Sequence, residues 1–414
     1  MKELILKNLE DAQGLEALYQ SDRKAFKAAF QELYPGFVIS PLLEYWEVRL
    51  NYKTNVNYFQ DQRTVWALFG IAVLTAFIVK IPTFFNIDYD FFYPRNIGFM
   101  VFLPLCLFFA WKFKASWQIR ISILGLFVVS AIYINLLPQN NQSDTFALAC
   151  MHLVLFLWSS MAFLYGDRLL SLWDRRMEFL KFNGDLIVMS ALLVLAGGIL
   201  SGITIGLFQV IGFSIDHFYF EHIVPVGLSL VPLLASYLIQ VNPQLVDKIS
   251  PLIARIFSPV VLVMLFAYLV AMSFSEKNLY TDREFLLIFN ILLIGVMAII
   301  FFSLSESYKQ GTSKIQVWIL FCLAILTIIV NSFALSAILF RIDQYGFTPN
   351  RLAVLGSNCL MLVNLVLLSW RMFQSIKGNR ERSGIALIIA QFIPLYLAWA
   401  MLVVYVFPIL FQYK

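Results

Sequence analysis

Eleven apolar runs, each long enough to cross a hydrocarbon core that needs about 20 helical residues, decide what this chain can fold into. They fall at about 64–84, 95–111, 119–137, 145–165, 185–211, 220–241, 252–274, 284–304, 315–340, 350–370 and 384–411. Lipid offers no partner to a bare N–H or C=O, so runs of this length are helices. The expected fold class is therefore all-α, a polytopic transmembrane helical bundle of about eleven spans. Only 13% of residues are charged, against roughly a quarter in soluble proteins. Run two is short and run five carries glycines, so these are the two places where a broken or re-entrant segment is expected.

Basic residues set the expected orientation, because positive loops stay cytoplasmic. Fifteen Lys and Arg lie after runs two, four, six, eight and ten, among them Lys112, Arg120, Arg175, Arg176, Lys181 and Arg371. The opposite loops hold five: Arg95, Lys277, Arg283, Arg341 and Arg351. The reading is N-in/C-out, with residues 1–63 as a small cytoplasmic helical module and 64–414 as the membrane domain. Scattered in short loops, the basic residues explain topology and give no sign of nucleic-acid binding. No short basic stretch followed by an apolar run opens the chain, so the N-terminus is expected to be retained.

The N-terminal module shows helical periodicity in "LEALYQSDRKAFKAAFQELYP" and "PLLEYWEVRLNY", separated by Tyr34-Pro35-Gly36, which fits two or three short helices. So small a piece is expected to bury little core alone and to pack on the membrane surface or its own loops, or to bind a cytoplasmic protein. Farther on, "DRLLSLWDRRMEFLKF" reads as an interfacial amphipathic helix touching anionic lipid.

Within the runs, the interior holds no Asp or Glu, which weighs against a carrier coupled to protons or cations through a membrane carboxylate. His152 is the clearly intramembrane histidine. It invites comparison with membrane acyltransferases that use a buried histidine as base, against a histidine bonded to a neighbouring helix. Asn135, Asn290, Asn331, Asn358 and Asn364 read as interhelical glue, and Gly198, Gly202 and Gly206 as a close-packing seam within the bundle, with a dimer seam as the alternative. Cys106, Cys150, Cys322 and Cys359 lie in apolar runs and read as reduced packing residues.

Candidate chemistry gathers on the outward face. In "NIDYDFFYPRN", Asp88 and Asp90 stand at D-x-D spacing, able to share a divalent cation with a phosphate-bearing substrate. Polytopic glycosyltransferases acting on lipid-linked sugars carry acidic residues in a first outer loop, although theirs is usually longer. "SIDHFYFEH" collects Asp216, His217, Glu221 and His222, but histidines five apart lie on different faces of an α-helix. Pro94 and Pro349 suit first helical positions, with Thr348 as N-cap. Arg95 and Arg351 then sit at electropositive helix starts and require compensation. Two answers stand: salt bridges to Asp88, Asp90 or Asp343, or an outward vestibule where Arg95, Arg341 and Arg351 hold an anionic group.

The run Tyr345-Gly346-Phe347-Thr348 with Arg351-Leu352 forms a Y-G-x-T-x-x-R-L pattern. It resembles the bacterial membrane family called domain of unknown function 4153, mainly over the last third of the chain. "MKELILKNLEDAQGLEALY" and "FFYPRNIGF" are similar to members of that family. It has no established activity, so the resemblance implies a bacterial inner-membrane location.

The expected function is non-enzymatic binding or translocation of an anionic small molecule or lipid from the outward face. A metal-dependent transferase using Asp88 and Asp90, and a scaffold recruiting a cytoplasmic protein, are the alternatives. The partners implied are membrane lipids, an anionic small molecule and a protein at the N-terminal module. No H-E-x-x-H, G-x-S-G, nucleotide loop or other cofactor motif is present, so no cofactor is expected.

Overall fold

The computed structural model describes residues 1–36, 40–51, 62–113, 115–138, 143–165, 172–210, 213–274, 283–310, 314–378 and 383–413. All regular elements among them are helical. The basic residues Lys114, Arg168, Lys277, Arg380 and Arg382 lie outside the described residues. So do the side chains of Lys248, Arg283, Glu284 and Lys309. The chain divides into two compact units, Met1–Gln60 and Asp61–Lys414.

Among the described residues the first unit holds four α-helices, α1 (Lys2–Lys7), α2 (Ala12–Ser21), α3 (Arg23–Leu33) and α4 (Pro41–Asn51), rather than two or three. Asp11 caps α2 by accepting from Gln13 N at 3.0 Å, and Asp22 accepts from Ala25 N at the start of α3. Tyr34-Pro35-Gly36 forms a 3-10 turn that ends α3. The expectation of little core is overturned. Ile5, Leu15, Phe26, Phe30, Leu43 and Trp46 are buried together, because three bulky aromatic side chains fill the space that small residues could not. Arg49 closes the edge with two bonds to Glu16 and its guanidinium 4.6 Å from the Trp46 ring.

The second unit is a multi-pass membrane bundle. Among the described residues, eleven helices are long and apolar enough to span: Gln62–Phe85, Tyr89–Lys112, Trp117–Leu136, Asp144–Phe163, Trp173–Val210, Asp216–Val241, Ile249–Met272, Ile288–Glu306, Lys314–Tyr345, Pro349–Ile376 and Gly384–Leu410. We call these spans 1 to 11. Span 2 is neither short nor broken: Asp88 caps it and the helix begins at Tyr89, so Pro94 lies inside the helix instead of starting it. Span 5 is continuous through its glycines. The irregular turns fall elsewhere, as π-helical segments at Tyr219–Ile223 and Leu402–Val406.

The expected interfacial helix is also corrected. Its helical part runs straight into span 5, and Met177, Phe179 and Phe182 are buried in the protein core. An amphipathic stripe shows that one face is covered without showing whether lipid or protein covers it. The same extension changes the carboxylate count. Asp185 in span 5 and Glu306 in span 8 are buried at 5% and 3% exposure, which removes the argument against a coupled carrier.

Three unusual tertiary bonds fall close to prolines. A proline has no N–H, so in an α-helical register the carbonyl four residues earlier loses its donor. Pro394 releases Ala390 in this way, whereas Glu221 and Val404 lie in the π-helical segments just before Pro225 and Pro408, where the register is wider. Each of those oxygens receives a side-chain donor from another helix: Lys80 Nζ at 2.8 Å, Arg176 Nη1 at 3.0 Å and Tyr133 Oη at 3.3 Å. In lipid, such a donor replaces the one the helix has lost.

The amides act as expected. Asn96 and Asn135 exchange two bonds of 3.0 Å between spans 2 and 3. Asn331 donates to Asn358 O, Asn358 to Asn290 Oδ1, and Asn364 to the Tyr396 hydroxyl. The glycine seam does not pack within the bundle, because a Cβ built at Gly198, Gly202 or Gly206 meets nothing within 4 Å. Gly202→Ala is therefore expected to leave the protein as stable or more stable by about 0.5 kcal/mol, through helix propensity. Thermal unfolding in detergent measures this, and a clear loss would show that another chain covers the stripe. The cysteines divide: Cys106 and Cys150 are buried, whereas Cys322 and Cys359 are exposed.

Candidate functional site

Among the described residues Arg95 is the largest fully buried side chain, at 1% exposure. Placing a guanidinium there is costly unless its charge is met. Nη1 donates to Phe91 O at 2.9 Å, one turn back on span 2. Nη2 reaches Leu137 O at 3.5 Å, at the carbonyl end of span 3, where the helix dipole is negative. The guanidinium lies between two phenyl rings, 4.0 Å from the centre of Phe91 and 4.3 Å from that of Phe146. Nε has no partner, and no carboxylate among the described residues pairs with Arg95.

Salt bridging to Asp88 or Asp90 is thus not what holds Arg95. Both aspartates are exposed, and Asp88 spends Oδ1 on the Asp90 N–H at 3.1 Å as the cap of span 2. Among the described residues no group of three or more His, Cys, Asp or Glu is placed to hold a metal.

Next to these contacts lies a small cleft with room for about one water molecule, lined by Leu137, Pro138, Ser143, Thr145, Phe146, Pro408 and Tyr413, while Arg95 itself is not one of its walls. Two of its walls, Leu137 and Phe146, are the residues Arg95 itself touches. Span 4 starts here: Ser143 Oγ accepts from Phe146 N at 3.2 Å and bonds Thr145 Oγ1 at 2.8 Å. That cap takes up one N–H of the helix start, and Asp144 places a carboxylate in its first turn.

The other two arginines differ from Arg95. Pro349 does open span 10, and Thr348 caps it by accepting from Arg351 N at 3.3 Å. Arg351 then turns back on its own chain, donating to Tyr345 O at 2.9 Å and Gly346 O at 2.7 Å. Gly346, at φ 76°, makes that turn possible. Arg341 is half-buried near the end of span 9, and neither it nor Arg351 lines the cleft beside Arg95. His152 is bonded through Nδ1 to Leu148 O at 2.9 Å, on its own helix rather than a neighbour. That bond satisfies the ring locally and aims it at no nucleophile.

His217, Glu221 and His222 of "SIDHFYFEH" join a cluster across spans 1, 2 and 6 whose other members, Lys80 and Tyr89, the sequence did not announce. Lys80 contacts Glu221 O and lies 2.6 Å from His222 Nδ1. Tyr89 donates to Glu221 Oε1 at 3.4 Å, and His217 Nδ1 lies 3.3 Å from Glu221 Oε2. The π-helical turn at Tyr219–Ile223 alters the helical phase between the two histidines, so the argument from α-helical faces does not apply. Pro225, three residues past His222, was the one local signal for the loosened turn. No protein-family model, curated protein or solved structure matches the chain.

Proposed function

We propose that this multi-pass membrane protein holds an anionic group, a phosphate or carboxylate borne by a lipid or a small metabolite, at Arg95 on its outward side. The observation that supports this most is a fully buried guanidinium with no carboxylate partner and a free Nε. Charges inside membrane proteins are retained where they do work, and the bonds to Phe91 and Leu137 leave the positive charge itself unneutralised. A binding or translocating role fits better than a transferase, because Asp88 is occupied as a helix cap. The outward placement follows from the N-in orientation, and a bacterial inner membrane is the location that the resemblance of Tyr345–Leu352 supports.

Native mass spectrometry of the gently extracted protein, beside Arg95→Met and Arg95→Lys, tests the reading. The wild type is expected to retain a defined anionic species that Arg95→Met loses at least tenfold and Arg95→Lys keeps in part. A shift in the spectrum on delipidation separates a lipid from a free metabolite. Equal retention by a folded Arg95→Met variant would sink the proposal and leave Arg95 as a tie between spans 2 and 3.

A further inference from the structure

The outer ends of spans 1, 2 and 6 close on Lys80. Its Nζ lies 2.8 Å from the Glu221 backbone oxygen and 2.6 Å from His222 Nδ1. An ammonium offers only donors, so Nδ1 accepts, and His222 is held as the neutral tautomer with its proton on Nε2. The Phe218 ring stands edge-on to the imidazole with centroids 4.8 Å apart.

Other charged or titratable groups surround this pair. From its own segment come the Glu221 carboxylate, His217, which pairs with Glu221, and Asp216, whose Oδ1 accepts from Ser214. Span 2 contributes Tyr89, bonded to Glu221, and Tyr93, which donates to Val79 O at 3.3 Å and lies within electrostatic reach of Glu221. Span 5 presents the uncharged Ser201, 3.2 Å from the Tyr219 hydroxyl. Glu221 is thus engaged by Tyr89 and His217 and acts on Lys80 electrostatically, while two of the three Lys80 N–H groups go to a backbone oxygen and a neutral ring.

We propose that His222 is a proton-binding site that works a latch between the outer ends of spans 1 and 6. With His222 neutral, Nδ1 accepts from Lys80 and the latch is closed. A proton arriving from the outer solvent forms an N–H bond at Nδ1, and the Lys80 to His222 hydrogen bond is broken. The proton leaves a solvent hydronium as water, and apart from this transfer no covalent bond changes. Two cations then face each other at 2.6 Å, and the ring must leave. The π-helical turn at Tyr219–Ile223 supplies the give, since its wider register can revert without unwinding the span. Span 2 presents Tyr89 to this latch and carries Arg95 farther along, so the opening acts on the helix that holds Arg95. The latch does not depend on what Arg95 binds.

Double electron–electron resonance on spin labels at Phe84→Cys and Phe220→Cys, both positions exposed, reads the separation of the two ends. Cys322→Ser and Cys359→Ser remove the exposed native thiols. Measurement at about pH 8 and about pH 5.5 brackets the range in which imidazoles titrate. The distance distribution is expected to lengthen and broaden at the lower pH. In His222→Gln, whose amide oxygen accepts from Lys80 at either pH, it is expected to stay closed. An unchanged wild-type distribution, or an equal response in His222→Gln, would overturn the proposal. Should the labelled protein fail to fold, hydrogen exchange over residues 218–226 of the unmodified protein takes its place. Faster exchange at the lower pH, after correction for intrinsic rates, supports the latch, and none refutes it.

Discussion

Gly356→Ala is expected to destabilise the bundle by about 3 kcal/mol, near the upper end of what one added methyl group costs in a close-packed core. A Cβ at this position would lie 2.1 Å from two atoms of the Trp399 indole. The ring cannot withdraw cheaply. Its Nε1 donates to Ser357 Oγ at 2.9 Å, and its face meets the edge of Phe407 with centroids 6.1 Å apart. Moving the indole therefore breaks a hydrogen bond and loosens the start of span 10 against the end of span 11. Thermal or denaturant unfolding in one detergent, with Gly202→Ala as the control, measures the difference. Trp399→Phe in the same background should recover part of the loss, because the smaller ring vacates the contact. A Gly356→Ala protein as stable as the wild type would mean that the indole does not lie over this glycine.

The second large effect concerns Arg176, whose Nη1 donates to the Ala390 oxygen at 3.0 Å. Arg176→Met is expected to cost about 2 kcal/mol, since a charged donor is lost from an oxygen that Pro394 has left without a partner. The cost should depend on the proline. Pro394→Ala supplies the missing N–H within the helix, so Arg176→Met should cost distinctly less in that background. A double-mutant cycle read by unfolding gives the coupling. An equal cost in both backgrounds would show that Arg176 acts through its stacking on Trp173, where the guanidinium lies 5.1 Å from the ring.

The spans were legible because lipid leaves the backbone one solution, and run length alone reveals it. The start of span 2 was not legible. Pro94 looks like a first helical residue, yet Asp88 caps the helix six residues earlier and the proline is carried inside. Patterning also misread the glycines. The regular series at Gly198, Gly202 and Gly206 faces open space, whereas the isolated Gly184 and Gly356 touch Phe302 and Trp399. Spacing shows which residues share a face and is silent on what that face meets. Of the site, Arg95 was legible as a charge needing an explanation. Its lack of a carboxylate was not, because acidic residues at 88 and 90 are close in sequence without being turned toward it. The contact between Lys80 and His222 bridges 142 positions, and only the packing of span 1 on span 6 creates it.

Span 5 carries 38 residues of helix, about 57 Å at 1.5 Å per residue, nearly twice the roughly 30 Å of a hydrocarbon core. Its first part buries Met177, Phe179 and Phe182 among protein neighbours, while Leu195, Ile199, Ile203 and Leu207 farther along are mostly exposed. One continuous rod thus obeys two solvents. A change of detergent chain length or of acyl thickness acts on the glycine-bearing half directly, and reaches the other half only as a torque along the helix.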